Sequence, residues 1–215
     1  MRYEARKYGV TEDVIETDVV AKMQQAIDEN PVSIRARTNS AKKILEDGRF
    51  KTQFETNTSG GAFSPQARMQ AETRGLNIPE DILPELRPVY GYVDALNGGL
   101  DASGYGNVQF VLKKDVTARS TFTLGDSLGG FARGDAVGLP SGELTAGTFV
   151  GSEKAMAVYK TGALEYEYLE AQIQGGVSVT DIERVIFHTK HYSVDEELVA
   201  TLRRLNIPVE EIGTE

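Results

Sequence analysis

The spacing of apolar residues shifts from mostly helical to mostly strand-like near Arg87, and that shift limits the possible folds more than any single motif does. Before it, the recurrence is helical. Val14, Ile15, Val19, Met23 and Ile27 predict a helix from a Thr11 cap to about Glu29. Val32–Arg37 reads as a short strand. Ser40 opens a helix through Ile44 and Leu45 that Gly48 stops. The segment from Gly48 to Phe63 reads as loop around Ser59, Gly60 and Gly61. Pro65 starts another helix that ends near Gly75, and Pro79–Leu86 adds a turn or two.

After the change, β-branched and aromatic residues fall in short runs between turn signals. Val89–Val93, Val108–Leu112, Ala118–Leu124, Leu164–Ile173, Arg184–His188 and Pro208–Ile212 are predicted strands. One late helix, Asp195–Leu205, follows a Ser193 cap with Leu198, Leu202 and Leu205 on one face. Helices followed by strands imply an α+β fold rather than alternating α/β. The expected organisation is a mainly helical region, residues 1–86, packed on a β-rich core, residues 87–215.

Bulk properties exclude several functions. At 215 residues the chain fits one large domain, and 40% hydrophobic content provides a sizeable core. No apolar run approaches the roughly 20 residues that span a bilayer, and MRYEARKYGVTEDV lacks the apolar stretch of a secretory leader. Without cysteine there is no disulfide framework or thiolate zinc site, which fits a cytoplasmic protein. A net charge of −9 opposes approach to a phosphate backbone, so nucleic acid is not an expected partner. From Ala163 onward, eleven acidic residues face only Arg184, Lys190, Arg203 and Arg204, a pattern that reads first as a solvated surface.

The strand YEYLEAQI carries the best candidate chemistry. Period-two alternation puts Leu169, Ala171 and Ile173 on a core face, and Tyr166, Tyr168, Glu170 and Gln172 on the other. That second face is either an outer surface or the wall of a cleft that stacks a ring and hydrogen-bonds a sugar. In RPVYGYV, Arg87 stands at a strand entry, either as a surface arginine or as a bidentate phosphate ligand. In RSTFT, Ser120, Phe122 and Leu124 share one face while Arg119, Thr121 and Thr123 share the other. His188 and His191 stand three apart at a strand end and make a poor metal site. Eight glycines between Gly125 and Gly151 mark either a lid over a ligand or a mobile hairpin. Neither GYGNV nor GDSLGG is a Walker or dinucleotide fingerprint, and no GxSxG elbow occurs.

Arg87 on a first strand, Ser120-Thr121 on a middle strand and Glu170-Ala171-Gln172 on a later strand, followed by Gly175-Gly176, together resemble the ADP-ribosyltransferase superfamily, in its Arg–Ser–Glu toxin class. The resemblance spans about residues 87–190, and order and spacing carry most of it. It implies a split β-sandwich clamping NAD, with transfer of ADP-ribose to a protein or other acceptor, or to water. Arg87 would hold an NAD phosphate with Thr121 nearby, and Ser120 would brace the glutamate strand. Tyr90, Tyr92 or Tyr168 would stack on nicotinamide or adenine, Glu170 would stabilise the oxocarbenium-like centre, and Gln172 would address the acceptor or assist the glutamate. Family members read Glu-x-Glu or Gln-x-Glu, whereas this chain reads Glu-x-Gln, which leaves open a catalytically inactive binding or assembly domain. Glu165 and Glu167 form a literal Glu-x-Glu but alternate onto the Leu169 face. The upstream GRFKTQFETNTSGG is similar to segments of uncharacterised bacterial and phage proteins, and for a phage-encoded protein the expected setting is the host cytoplasm.

Overall fold

In a computed structural model, the structure describes residues 11–58, 64–93, 102–128, 136–138, 147–150 and 169–213. Helices α1 (Glu12–Glu29), α2 (Thr38–Asp47), α3 (Gln53–Thr56) and α4 (Pro65–Leu76) dominate the first part, with strands β1 (Val32–Ala36) and β2 (Arg49–Phe50) among them. There follow β3 (Val89–Val93), β4 (Val108–Leu112), the single turn α5 (Lys114–Thr117), β5 (Ser120–Leu124), β6 (Ala136–Gly138), β7 (Gly147–Val150) and β8 (Leu169–Ile173). The chain finishes with β9 (Val177–Ser178), β10 (Ile182–His188), α6 (Glu196–Arg204) and β11 (Val209–Ile212).

Among the described residues nine strands form one mixed, mostly antiparallel sheet in the order β11-β10-β4-β1-β3-β8-β5-β7-β6. Local propensity accounts for these elements, and burial joins them. Val32, Ile34 and Ala36 of β1, Phe110 and Leu112 of β4, and Val185 and Phe187 of β10 turn one face to the core. Val19, Met23 and Ile27 of α1 and Leu198, Val199 and Leu202 of α6 belong to the same cluster. Phe50 of β2 meets Phe110 edge-on at 5.1 Å between ring centroids. Fully burying each such side chain contributes about 1.5–3 kcal/mol, which stabilises strand and helix together.

The α+β class holds, but a boundary at residue 86 does not describe the molecule. β1 lies inside the helical part of the sequence and yet sits between β4 and β3 in the middle of the sheet. A lone five-residue strand gives no sequence clue to its central place. Its contact with β3 is narrow, limited to Val32 opposite Val93 and Ser33 opposite Tyr92. A Cβ on Gly91 would stand 2.7 Å from the Ser33 carbonyl oxygen, so this crossing requires glycine. Gly106 has φ +133°, and a Cβ there would fall 2.1 Å from the Ala36 carbonyl carbon.

Several ends also differ from expectation. α2 starts at Thr38 and ends on Gly48, whose φ of 72° is left-handed. The expected loop after Gly48 contains β2 and α3. The latter is started by a capping box in which Glu55 N donates to Thr52 Oγ1 and Thr52 N donates to Glu55. β5 begins at Ser120 rather than Ala118, because residues 118 and 119 form the turn that closes α5, where Arg119 N donates to the Val116 carbonyl. Asp195, not Ser193, caps α6 by accepting from Leu198 N at 2.9 Å. Residues 164–168, most of the glycine-rich stretch, and Glu165, Tyr166, Glu167 and Tyr168 lie outside the described residues. Among the described residues no helix is long and apolar enough to cross a membrane.

Candidate functional site

Three strands assemble the site. In the ladders that flank β8, Tyr90 opposes Gln172 and Gln172 opposes Thr121, while Tyr92 opposes Glu170 and Glu170 opposes Thr123. Directly opposed residues of antiparallel strands share a face, so two polar rows run across β3, β8 and β5. Ser33 of β1, opposite Tyr92, continues the second row. The expected alternation in β8 is therefore present: Leu169, Ala171 and Ile173 belong to the core, and Glu170 and Gln172 face the other way.

This face is not a solvated surface. Gln172 and Thr123 are fully buried, and Glu170 is 4% exposed. Buried polar atoms must find partners. Gln172 Nε2 donates to Glu170 Oε1 at 2.8 Å and to Thr123 Oγ1 at 3.1 Å, while Gln172 Oε1 accepts from Thr121 Oγ1 at 2.9 Å. Both ends of the amide are thus engaged by the protein. Gln172 holds Glu170 in place rather than reaching outward.

The turn after β5 supplies another donor. Gly125, with φ +97°, bends the chain, and Leu128 N donates to Asp126 Oδ1 at 2.9 Å. This turn directs Ser127 inward, where its hydroxyl donates to Glu170 Oε1. Burial raises the Glu170 pKa to about 7. The Arg68 charge and the hydrogen bonds from Ser127 and Gln172 oppose that rise, and the Asp126 charge adds to it.

Arg68 comes from α4, where Ser64 caps the helix and Pro65 occupies its first turn. Positions 68, 71 and 72 form one buried helical stripe. The Arg68 guanidinium carbon lies 4.1 Å from the Tyr90 ring centroid, and Nη1 donates to Ser127 Oγ at 3.3 Å. Its Nε is buried with no acceptor. One turn on, Glu72 accepts from Tyr90 OH at 2.9 Å and from Arg87 Nη1 at 2.5 Å.

Arg87 and Ser120 are placed differently from the sequence expectation. Arg87 is 2% exposed, pairs with Glu72, donates to the Glu80 carbonyl at 2.7 Å and stacks on Phe54 at 4.2 Å. A guanidinium so engaged is a buried tie between α4, the following loop and β3, and it does not line the cleft described below. Ser120 lies on the Phe122 and Leu124 side of β5, where its hydroxyl donates to the Val116 carbonyl at 2.8 Å. It does not brace Glu170; Ser127 and, through Gln172, Thr121 and Thr123 do so.

Beside this network lies a cleft of about 720 Å³. Glu170, Arg68, Tyr90, Tyr92 and Tyr105 line it, together with Arg35 of β1 and Arg37, Ser40 and Lys43 at the start of α2. Arg35 Nε donates to the Gly106 carbonyl at 3.0 Å, and Nη1 donates to Gln109 Oε1 at 3.3 Å. Gln109 also meets His188 Nε2 at 2.7 Å and donates to Ser33 Oγ at 3.1 Å. A cleft with a buried carboxylate, aromatic rings and several cations suits a polar ligand that carries both rings and negative charge. Among the described residues no group of three or more histidines, aspartates or glutamates could hold a metal ion. Sequence reasoning placed Thr123 on the Thr121 face of its strand without giving it a role, and missed Arg35, Arg68, Glu72 and Ser127. Of these four, Arg35 had a local signal, since alternation in VSIRA puts Ser33 and Arg35 on one face.

Comparison with known proteins adds a lineage to this geometry. Residues 12–135 match the family described as "Protein of unknown function (DUF3626)". The "Gene 2 protein" of Mycobacterium phage L5 is 32% identical over 168 residues, covering 70% of this chain and 62% of that protein. The "Gene 2 protein" of Mycobacterium phage D29 is 30% identical over 193 residues, covering 81% of this chain and 70% of that protein. The chain thus spans less than two-thirds of the L5 protein's length. The matched range includes Arg35, Arg68, Glu72, Arg87 and Ser127 and stops short of Glu170. By that match, which covers more than half of its residues, the chain belongs to the DUF3626 family.

Proposed function

We propose that this protein cleaves NAD at the nicotinamide–ribose bond, as an NAD glycohydrolase or an ADP-ribosyltransferase, with Glu170 as the carboxylate that faces the reacting sugar. The observation that carries this reading is a buried carboxylate on the wall of a ring-lined, cation-rich cleft, fixed by donors from β8 and the turn after β5. A fixed anion beside developing positive charge, on a carboxylate that is itself almost wholly buried, lowers the barrier to forming an oxocarbenium-like centre.

The chemistry balances without a metal or a redox partner. The bond between ribose C1′ and the nicotinamide nitrogen breaks, and its electron pair leaves with nicotinamide. Ionised Glu170 accepts a hydrogen bond from a ribose hydroxyl and stabilises the cationic carbon. Water or an acceptor nucleophile then bonds to C1′ and loses a proton to solvent. Tyr90, Tyr92 and Tyr105 offer ring faces in the same cleft.

We assign the arginine of the Arg–Ser–Glu pattern to Arg35 rather than Arg87. β1 is the first strand of the sheet, and Arg35 lines the cleft that Glu170 also lines. The narrow contact between β1 and β3 divides the sheet into β11-β10-β4-β1 and β3-β8-β5-β7-β6, which supports a split arrangement of the ADP-ribosyltransferase kind. Gln172 is a neutral amide engaged at both ends, so it offers an acceptor neither a second carboxylate nor a free polar end, and this favours water over a protein acceptor. The same neutral amide favours a second reading, an NAD-binding or assembly domain without turnover. The phage relatives fit action in the cytoplasm of a bacterial host.

The test is to incubate the protein with NAD and follow nicotinamide release by chromatography, alongside thermal unfolding with and without NAD. Release that is lost in Glu170→Gln and weakened in Arg35→Ala supports the enzyme. Protection without release supports the binding domain, and no effect of NAD on either readout overturns both.

A further inference from the structure

Arg68 is a buried cation whose charge acts on Glu170, and no motif singled it out. It is 5% exposed, lies over Tyr90, reaches Ser127 Oγ, and carries an Nε–H without an acceptor on a side chain that lines the cleft. Burying a guanidinium in this way is costly unless its charge is used. Its immediate acceptor, Ser127, donates in turn to Glu170, so the serine proton is directed from the arginine side toward the carboxylate. A hydroxyl that accepts from a cation becomes a stronger donor.

We propose that Arg68 is the positioning residue of this site: acting through Ser127, it holds the Glu170 carboxylate ionised and turned to the cleft, so that the site accepts a cationic ring only while that arginine is in place. This deepens the reading of Glu170 as the carboxylate that faces the glycosidic bond, and rests on it. The groups that act on Glu170 come from several elements. Arg68 of α4 favours the anion, as do the neutral donors Ser127 and Gln172, whereas Asp126 of the turn after β5 disfavours it. Tyr90 of β3 and Tyr105 before β4 lie within electrostatic reach and keep their protons because burial raises both hydroxyl pKa values. Glu72 of α4 acts on Tyr90 and is itself paired with Arg87. Among the groups named as acting directly on Glu170, Arg68 is the cation, so its removal leaves burial and Asp126 opposed by the hydrogen bonds from Ser127 and Gln172.

The decisive measurement is the carboxyl titration of Glu170 in the full chain labelled with 13C-glutamate, its signal identified by disappearance in Glu170→Gln. In the parent protein the midpoint lies near 7. In Arg68→Met it rises by about one unit or more, in Arg68→Lys it stays near the parent value, and in Ser127→Ala it rises as well. If Arg68→Met does not fold, Arg68→Gln, which keeps a neutral donor toward Ser127, decides: a raised midpoint supports the role of the charge, and an unmoved or lowered one overturns it. Unmoved midpoints in both Arg68→Met and Ser127→Ala overturn it outright. Where the parent protein releases nicotinamide, the pH at which kcat/KM rises moves with the titration in each variant; a purely structural role for Arg68 lowers kcat/KM at every pH without moving that midpoint, and would contradict the proposal. Where no release occurs, the proposed reaction fails, while the titration still judges the role of Arg68.

Discussion

Gln172 Nε2 lies 2.8 Å from Glu170 Oε1, so two residues of one strand, both facing the same side, are joined by a buried hydrogen bond. In the proposed reading the amide stands where a Glu-x-Glu motif would carry a second carboxylate, and here it acts as a donor to Glu170.

Replacing the amide by an acid tests it directly. Gln172→Glu puts a second carboxylate beside Glu170 and removes the donor, so one of the two stays protonated near neutral pH. We expect a loss of about 1–3 kcal/mol in urea-unfolding stability at pH 8, smaller at pH 5. Equal losses at both pH values would mean that the pair does not share the site electrostatically.

Glu170 itself makes the protein more stable in mild acid than in base, as far as this one group is concerned. Its folded-state pKa is raised to about 7, above the ordinary value of 4.5. Between those two values the folded state holds a proton that the unfolded state has released, so its contribution to stability falls as pH rises through that window. We therefore expect Glu170→Gln to be more stable than the parent by about 1–3 kcal/mol at pH 8, with little difference at pH 4. Urea melts across the range check both sign and window, and a parent protein that is the more stable of the two at pH 8 would contradict the burial of an anion here.

Arg87 and Glu72 act as a pair rather than as a ligand site. Arg87→Met leaves the Glu72 carboxylate buried at 1% exposure without its cation, at an expected cost of about 3–5 kcal/mol. The double variant Arg87→Met with Glu72→Leu recovers much of that loss, because neither charge is then stranded. If instead Arg87→Met keeps its stability and loses NAD binding, the arginine serves the ligand after all.

At the seam of the sheet, Gly91→Ala forces a methyl group against the Ser33 carbonyl. Overpacking of this kind costs about 1–3 kcal/mol, and because the strain falls where β1 meets β3, thermal unfolding should occur at lower temperature. A variant with an unchanged melting temperature would show that the two strands separate at no cost.

How much of this was legible beforehand depended on the range of the interactions. β3, β4, β8, β10, α1, α4 and α6 follow from local period and turn residues, and so did the polar face of β8 with Glu170 and Gln172. The capping box at Thr52 and Glu55 was also written in the sequence but was obscured by the loop composition around it. The central place of β1 was not local information, since its partners lie more than fifty residues away. The burial of Arg87 was hidden for the same reason: a strand-entry arginine reads as free until the helix carrying Glu72, fifteen positions earlier, is folded against it. Ser127 sits at the edge of a glycine-rich stretch, where nothing but the fold distinguishes it from its neighbours.

Nicotinamide release from NAD, compared between the parent protein and Glu170→Gln, reads the proposed chemistry most directly. The geometry predicts release by the parent that rises as pH passes about 7, and a loss of at least about a hundredfold in the variant. Equal release by both proteins, or no release and no binding of NAD by the parent at any pH, would contradict it.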